Sequence, residues 1–395
     1  MAIELTPLPL PPSAEPSKFE TFGREVKGIN PGNCTIEQLE EIKQALYRHE
    51  VLFFHNVVLT PEQQLKLTKA FDPDSEIYGH GGKLGSEKSS ILHSALQAIP
   101  RVPQVQLIGN GMLYNHEGLA ETRLKHLTHK TFHKTVVSTE DEQKGFTRFY
   151  RWHIDAALYD LSPPRVTTLY AVRVPEGPNQ ICRYDDGTGD ELDVPLATTA
   201  FISGQTMFQL LPPELKSVAV RAEVKYAPHP YVWMAPARAK STGLGIVSEG
   251  LETPLDQLPP WAEDKIKTHP MLWRNPVTNM LSLQVHPCGA IELIVSPIPS
   301  GAAREGALYP DGARITDLEE VRDLLDRMQR PAIAPNLVYP HKWSNNDLIL
   351  FHNRGVLHTV VGTLQPNQMR VYHQCNLAAS DDPTGPSNED ISQWA

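Results

Sequence analysis

The sequence predicts a mainly β fold with peripheral helices, closed as a double-stranded β-helix, the jelly-roll architecture. Three observations point there. Apolar runs such as Val51-Leu52-Phe53-Phe54, Val105-Gln106-Leu107-Ile108 and Leu348-Ile349-Leu350-Phe351 are short and bounded by turn residues. The 35 prolines are spread along the chain, which keeps helices few and brief. Only a handful of stretches show helical periodicity.

Taken in order, Thr6-Pro7-Leu8-Pro9-Leu10-Pro11-Pro12 marks residues 1–20 as a Pro-rich, extended arm without a core of its own. Thr35 caps a helix whose Ile36, Leu39, Ile42 and Leu46 share one face. Residues 51–56 follow as a central strand. Thr60-Pro61-Glu62-Gln63 starts a second helix, with a hydroxyl cap, proline first and glutamine third. Residues 70–85 read as loop, 92–96 as an ambiguous apolar patch, and 105–109 and 164–172 as strands. Residues 200–299 read as short strands with one helix near 212–215. Residues 315–325 form an amphipathic helix, capped by Thr316 or Asp317, on the outside of the sheet. Residues 381–395 are polar and are expected to form a loose tail in which Trp394 could dock. Residues 21–380 are then a single domain with long insertions.

Composition narrows the function class. Forty per cent hydrophobic and 21% charged residues are ordinary for a soluble globular protein. A net charge of −10 without a basic stripe argues against a nucleic-acid partner. There is no apolar run of membrane length and no basic-then-apolar leader, so neither a span nor a signal peptide is expected. Cys34, Cys182, Cys288 and Cys375 are far apart and form no Cys-x-x-Cys, as reduced thiols in the cytoplasm would be.

The chemistry concentrates in Arg148-Phe149-Tyr150-Arg151-Trp152-His153-Ile154-Asp155. It holds the only His-x-Asp or His-x-Glu among sixteen histidines. On a strand, residues i and i+2 leave one face, so His153 and Asp155 can reach one ion. An imidazole and a carboxylate are two thirds of the facial triad that suits non-haem Fe(II); a surface pair is the plainer alternative. The candidate third ligand is His358, which follows the apolar strand ending in Phe351. Arg370 sits in another apolar strand and needs a partner, either an internal carboxylate or a bound one.

His153-x-Asp155, then His358, then Arg370 resembles the Fe(II)/2-oxoglutarate dioxygenases of the TauD/TfdA type. The likeness runs from Cys34 to Ala378. It implies the jelly-roll fold, with Fe(II) held at its mouth by His153, Asp155 and His358. It also implies 2-oxoglutarate and O2 as cosubstrates, with Arg370 on the far carboxylate. Turnover then releases succinate and CO2, and the partner is a small-molecule substrate. The family's usual Gly-Asp-Thr turn is replaced near Gln180-Ile181, so Gln180 is the expected helper in cosubstrate binding. Sulfonate-oxidising members carry a second arginine four residues after the first. Here that residue is Gln374, with Asn376 on the same strand face. Carboxamides suit a polar heterocycle with alternating donors and acceptors, though both could simply pair with backbone. His373-Gln374-Cys375-Asn376, the 148–160 run and the chain length are similar to the fungal xanthine dioxygenases, which form uric acid. That likeness implies a role in purine metabolism and places Lys125 and the acidic trio Glu140, Asp141 and Glu142 near the substrate. A related dioxygenase acting on an amino acid or other small metabolite would show much the same motifs. A non-catalytic jelly-roll binding protein is the alternative from another class.

One rival metal site is visible. His126, His129 and His133 have helical spacing and could bind zinc if the segment were helical. Three lysines nearby and the lack of a capping pattern favour a solvated basic loop, or a loop over the iron site that supplies a contact.

Overall fold

One wall of the protein is a large sheet with strand order Glu4–Pro7, Arg24–Lys27, Val51–Phe54, Leu348–His352, Val166–Arg173, Arg370–Ala378, Val102–His116, Gln97–Ile99. The computed structural model describes residues 3–77, 97–301 and 304–395; the expected patch at 92–96 and part of the 70–85 loop lie outside them. Every pairing along this path is antiparallel except Arg24–Lys27 with Val51–Phe54. A facing sheet holds Tyr339–His341, Thr199–Ser203 and Val356–Val360.

The space between the sheets is filled by Phe53, Leu169, Ile349, Phe351 and Tyr372 from the large one and Phe201, Tyr339 and Val356 from the small one. Phe201 and Phe351 meet edge to face at 5.4 Å. This is the expected jelly roll. Its register matters for the site: Phe351, Thr167 and Asn376 lie in one transverse row, and Ile349, Leu169 and Gln374 in the next.

The central strands are apolar on both faces because both are covered. Leu52 and Phe54 point outward, against Ile42, Leu46 and Leu67 of two helices. Those helices, Ile36–His49 and Pro61–Lys69, begin at the expected capping boxes, Thr35 with Gln38 and Thr60 with Gln63. Helix Leu318–Gln329 starts at Asp317, whose carboxylate accepts from the Glu320 amide. It packs on Ala290–Val295, a strand of the four-stranded insertion sheet, and not on the main sheet. The insertion carries three helices where one was expected: Gly204–Leu210, Pro213–Arg221 and Pro230–Trp233. Ser203 caps the first, and proline stands in the first turn of the other two.

Both ends of the chain are tied in. The arm is extended, but Glu4–Pro7 pairs antiparallel with Arg24–Lys27 at the sheet edge, and Leu8 and Phe19 join the inter-sheet layer. The tail is not loose. Asn388–Trp394 is a helix with a Ser387/Asp390 capping box, Arg274 pairs with Asp390, and Trp394 stands on Phe208 at 5.6 Å. Among the described residues, no helix is long and apolar enough to cross a membrane. All four cysteines are free.

The interior holds many neutral imidazoles. Burial pushes His126, His129, His352 and His373 down to about 3, and His133 and His269 down to about 4. In the unfolded chain each takes a proton near pH 6.5. The unfolded state therefore binds more protons across this window, and stability falls as pH drops through it. Glu50, raised by burial to about 8, and His55, raised by its hydrogen bond with Asp347, work in the opposite sense but are outnumbered. Denaturant midpoints should fall between pH 7 and pH 5, before most carboxylates titrate. A flat profile over that range would show that these histidines are not held neutral.

Candidate active site

His153 and His358 face each other across an isolated antiparallel bridge. Each backbone N–H donates to the other's carbonyl at 3.0 Å. The segment around His153 is extended but outside any regular strand, whereas His358 lies in the middle of Val356–Val360. Trp152 and Ile154 turn into a separate apolar cluster with Phe149, Leu244 and Leu357, which leaves Arg151, His153 and Asp155 on the other side. The Nε2 atoms of both histidines lie 3.6 Å from Asp155 Oδ1. The three side chains thus offer ligand atoms within 4.8 Å of one another.

Their protonation suits a divalent metal. His153 Nδ1 lies 2.9 Å from the Arg151 carbonyl, which can only accept, so Nδ1 carries a proton and Nε2 is the ring nitrogen turned toward the site. Burial, with His153 beside it, pushes the His358 imidazole down to about 3 and keeps it neutral. Burial alone would raise Asp155. Its neighbours His358 and His153, and the Thr167 hydroxyl that donates to it, hold it well below the usual carboxylate range. Two neutral imidazoles and a carboxylate are the donor set of a facial triad.

A second tier fixes Asp155. Thr167 Oγ1 donates to its Oδ2 at 2.7 Å, and Gln374 Nε2 donates to the same oxygen at 3.3 Å. Asn353 holds the Asp155 backbone from both sides, accepting from its N–H at 2.8 Å and donating to its carbonyl at 2.7 Å. Thr167 and Asn353 were not singled out in the sequence. The one local signal for Thr167 was a hydroxyl on a strand of the inner sheet.

Arg370 is 2% exposed and has no ion-pair partner among the described residues. Its guanidinium carbon lies 3.9 Å from the Tyr372 ring centroid, while Nε and Nη2 are buried without an acceptor. The internal salt bridge is therefore absent there, and a guanidinium left in this state is an anion site. His126, whose Nε2 bonds the Gly362 carbonyl at 3.0 Å, is a close enough neighbour to feel its charge.

The remaining candidates fall in different places. Gln374 reaches the metal-site carboxylate, as described. Asn376 is 2% exposed, with Oδ1 buried and unpartnered on the same strand face. Gln180 donates to the Thr363 carbonyl at 3.1 Å, and its Oε1 is buried without a partner beside Gly362. Lys125 is exposed and makes no hydrogen bond or ion pair among the described residues. Glu140, Asp141 and Glu142 open the short helix Thr139–Gln143, where Glu142 pairs with Lys130 and Asp141 with Arg183.

The rival zinc site is not formed. His129 and His133 are buried, neither in a solvated loop nor on a regular α-helix, and the three rings are committed elsewhere. His129 Nε2 accepts from the Val137 N–H, and His133 Nε2 bonds the Tyr150 carbonyl at 2.7 Å. One further group of ligand-type residues, His116, Glu117 and His373, is dominated by an ion pair from Arg101 to Glu117 and by a direct His116–His373 hydrogen bond of 2.9 Å.

The chain is similar to known proteins over nearly its whole length. The chain is 48% identical to the alpha-ketoglutarate-dependent xanthine dioxygenase of Schizosaccharomyces pombe, over 99% of this chain and 92% of that one. It is equally similar to the enzyme of the same description from Emericella nidulans, over 95% of this chain and 97% of that one. Among solved structures, a taurine dioxygenase from Burkholderia xenovorans superposes with a TM-score of 0.54 at 17% identity, covering 97% of this chain and 91% of that one, and shares the fold. The family described as taurine catabolism dioxygenase TauD, TfdA matches residues 8–375. The chain belongs to the TauD/TfdA dioxygenase family.

Proposed function

We propose that this protein is an Fe(II)- and 2-oxoglutarate-dependent dioxygenase that converts xanthine to uric acid. One oxygen atom of O2 ends in urate and the other in succinate, with CO2 released. The observation that carries the reaction type is the convergence of two imidazoles and a carboxylate, together with a buried guanidinium, that of Arg370, whose Nε and Nη2 lack an acceptor among the described residues. The substrate rests on the near full-length likeness to proteins described as xanthine dioxygenases. Asn376 Oδ1, a buried acceptor in need of a donor, supports it.

In this reading His153, Asp155 and His358 hold the metal and leave three positions open. Bound ferrous iron supplies the oxygen activation that no side chain can. The protein's own contribution is placement. Thr167 and Gln374 keep Asp155 ionised and aimed, and Arg370 takes the far carboxylate of 2-oxoglutarate. Gln180 acts one layer back, bracing the Gly362–Thr363 turn to which His126 is also bonded. Gln374 and Asn376 offer their remaining polar atoms to the heterocycle, with Lys125 at the periphery. The four free thiols suit the cytoplasm.

With Fe(II), 2-oxoglutarate and O2 supplied, xanthine should stimulate succinate release and yield urate, while taurine should do neither. Coupled oxidation of an amino acid with no response to any purine would overturn the substrate. Arg370→Ala should raise the 2-oxoglutarate requirement about ten- to a hundredfold, the worth of a charged hydrogen bond of roughly 1.5–3 kcal/mol. An unchanged requirement would return Arg370 to a structural role.

Thr167→Val keeps the shape of the residue and removes only the hydroxyl that bonds Asp155. It should weaken Fe(II) binding by about ten- to a hundredfold in a direct metal titration. Equal affinity would show that Asp155 needs no such support.

A further inference from the structure

We propose that Arg151 is a substrate-binding residue, and that it takes the oxygen edge of a planar, oxo-rich or anionic heterocycle docked beside the metal triad. This inference rests on the xanthine reading and deepens it.

Arg148, Arg221, Arg322 and Arg370 are buried and Arg151 is half-buried with its Nε enclosed, and these arginines divide into two kinds. Arg221 is engaged with the carbonyls of Ser217, Ser296, Leu308 and Tyr309. Arg322 pairs with Glu252, and Arg148 with Asp185. Arg370 and Arg151 have no carboxylate partner among the described residues. The first of these is accounted for by 2-oxoglutarate. The second has no assigned role.

Arg151 is locked to the triad through its backbone. Its N–H donates to Thr359 Oγ1 at 3.0 Å, and its carbonyl accepts from His153 Nδ1 at 2.9 Å. Because Trp152 and Ile154 point into the core behind, its side chain leaves on the same side as those of His153 and Asp155. There it sits in a cage of aromatic rings, with the guanidinium carbon 5.2 Å from the centroid of Tyr231 and 5.4 Å from those of Phe132 and Tyr150. Rings stabilise the face of a cation, but they cannot accept its five in-plane N–H bonds. Among the described residues the one polar contact of its side chain is Nη1 to the Met234 sulfur at 3.5 Å, and Nε is buried with no acceptor there.

A guanidinium stays charged, so enclosing part of its fork without an acceptor is costly unless a ligand completes it. His286 adjoins the same space. Its ring is 6.3 Å from His153 and 5.9 Å from Tyr231, and both of its nitrogens are buried without partners. Aromatic walls, an unused fork and an unused imidazole describe a pocket for a flat heterocycle with carbonyl oxygens. Xanthine carries two carbonyls on its six-membered ring, remote from the carbon that is oxidised. Binding them at Arg151 leaves that carbon free to face the metal.

The test is calorimetric titration of xanthine, without oxygen, into protein loaded with Fe(II) and 2-oxoglutarate. The unsubstituted protein is measured first. If it binds no xanthine, the xanthine reading itself has failed. If it binds, Arg151→Met should weaken xanthine by roughly ten- to a hundredfold while 2-oxoglutarate binding stays within about twofold. Arg151→Lys, which keeps the charge but loses the fork, guards against a misfolded methionine variant. It should also bind xanthine about tenfold or more weakly with normal 2-oxoglutarate binding. Xanthine affinity unchanged in either folded variant overturns the proposal.

Discussion

Two backbone hydrogen bonds between His153 and His358 join segments that are otherwise far apart in the chain, and the site depends on them. They fix the distance between the two imidazoles and align an irregular segment with the small sheet. Asp155 follows two residues later on the same side. It is received by Thr167 and Gln374, which belong to neighbouring strands of the large sheet. The triad therefore spans both walls of the jelly roll. The apolar layer that holds the walls together also sets the position of the ligands, since Phe351 packs at 4.6 Å from the His358 ring and lies in register with Thr167.

Around that frame the protein carries an unusual amount of unsatisfied polarity. Burial normally demands that polar groups be paired. Here Arg370, Arg151, His286 and Asn376 all have buried nitrogen or oxygen atoms without partners, while arginines elsewhere in the interior are fully engaged. Such exceptions mark where a structure is tolerating instability for the sake of a ligand.

Much of this was legible in the sequence because its signals are local. The His-x-Asp spacing, the distal histidine after an apolar strand and the arginine in a second apolar strand are short patterns, as are the capping boxes of the first two helices. The double role of Gln374 was not legible, because its partner Asp155 is 219 residues away and only strand register brings them together. The cage of Arg151 draws on Phe132, Tyr150 and Tyr231, which no periodicity links. The tail helix could have been anticipated, since Ser387 and Asp390 form a capping box in plain view. Its polar composition concealed that, because docking rests on a few residues, Asp390, Ile391, Trp394 and Ala395. The histidines of residues 126–133 misled in another way: spacing cannot distinguish rings that converge on one ion from rings that bond separate backbone groups.

The central claim is that the triad and the uncompensated Arg370 are one site, completed by a metal and a dicarboxylate together. Anaerobic titration of 2-oxoglutarate into the Fe(II)-loaded protein tests this most directly. A visible metal-to-ligand absorption band should grow and saturate at about one 2-oxoglutarate per chain. It should be absent when His153 or His358 is replaced by alanine. No band in the unsubstituted protein, or 2-oxoglutarate binding of equal strength with and without metal, would contradict the account.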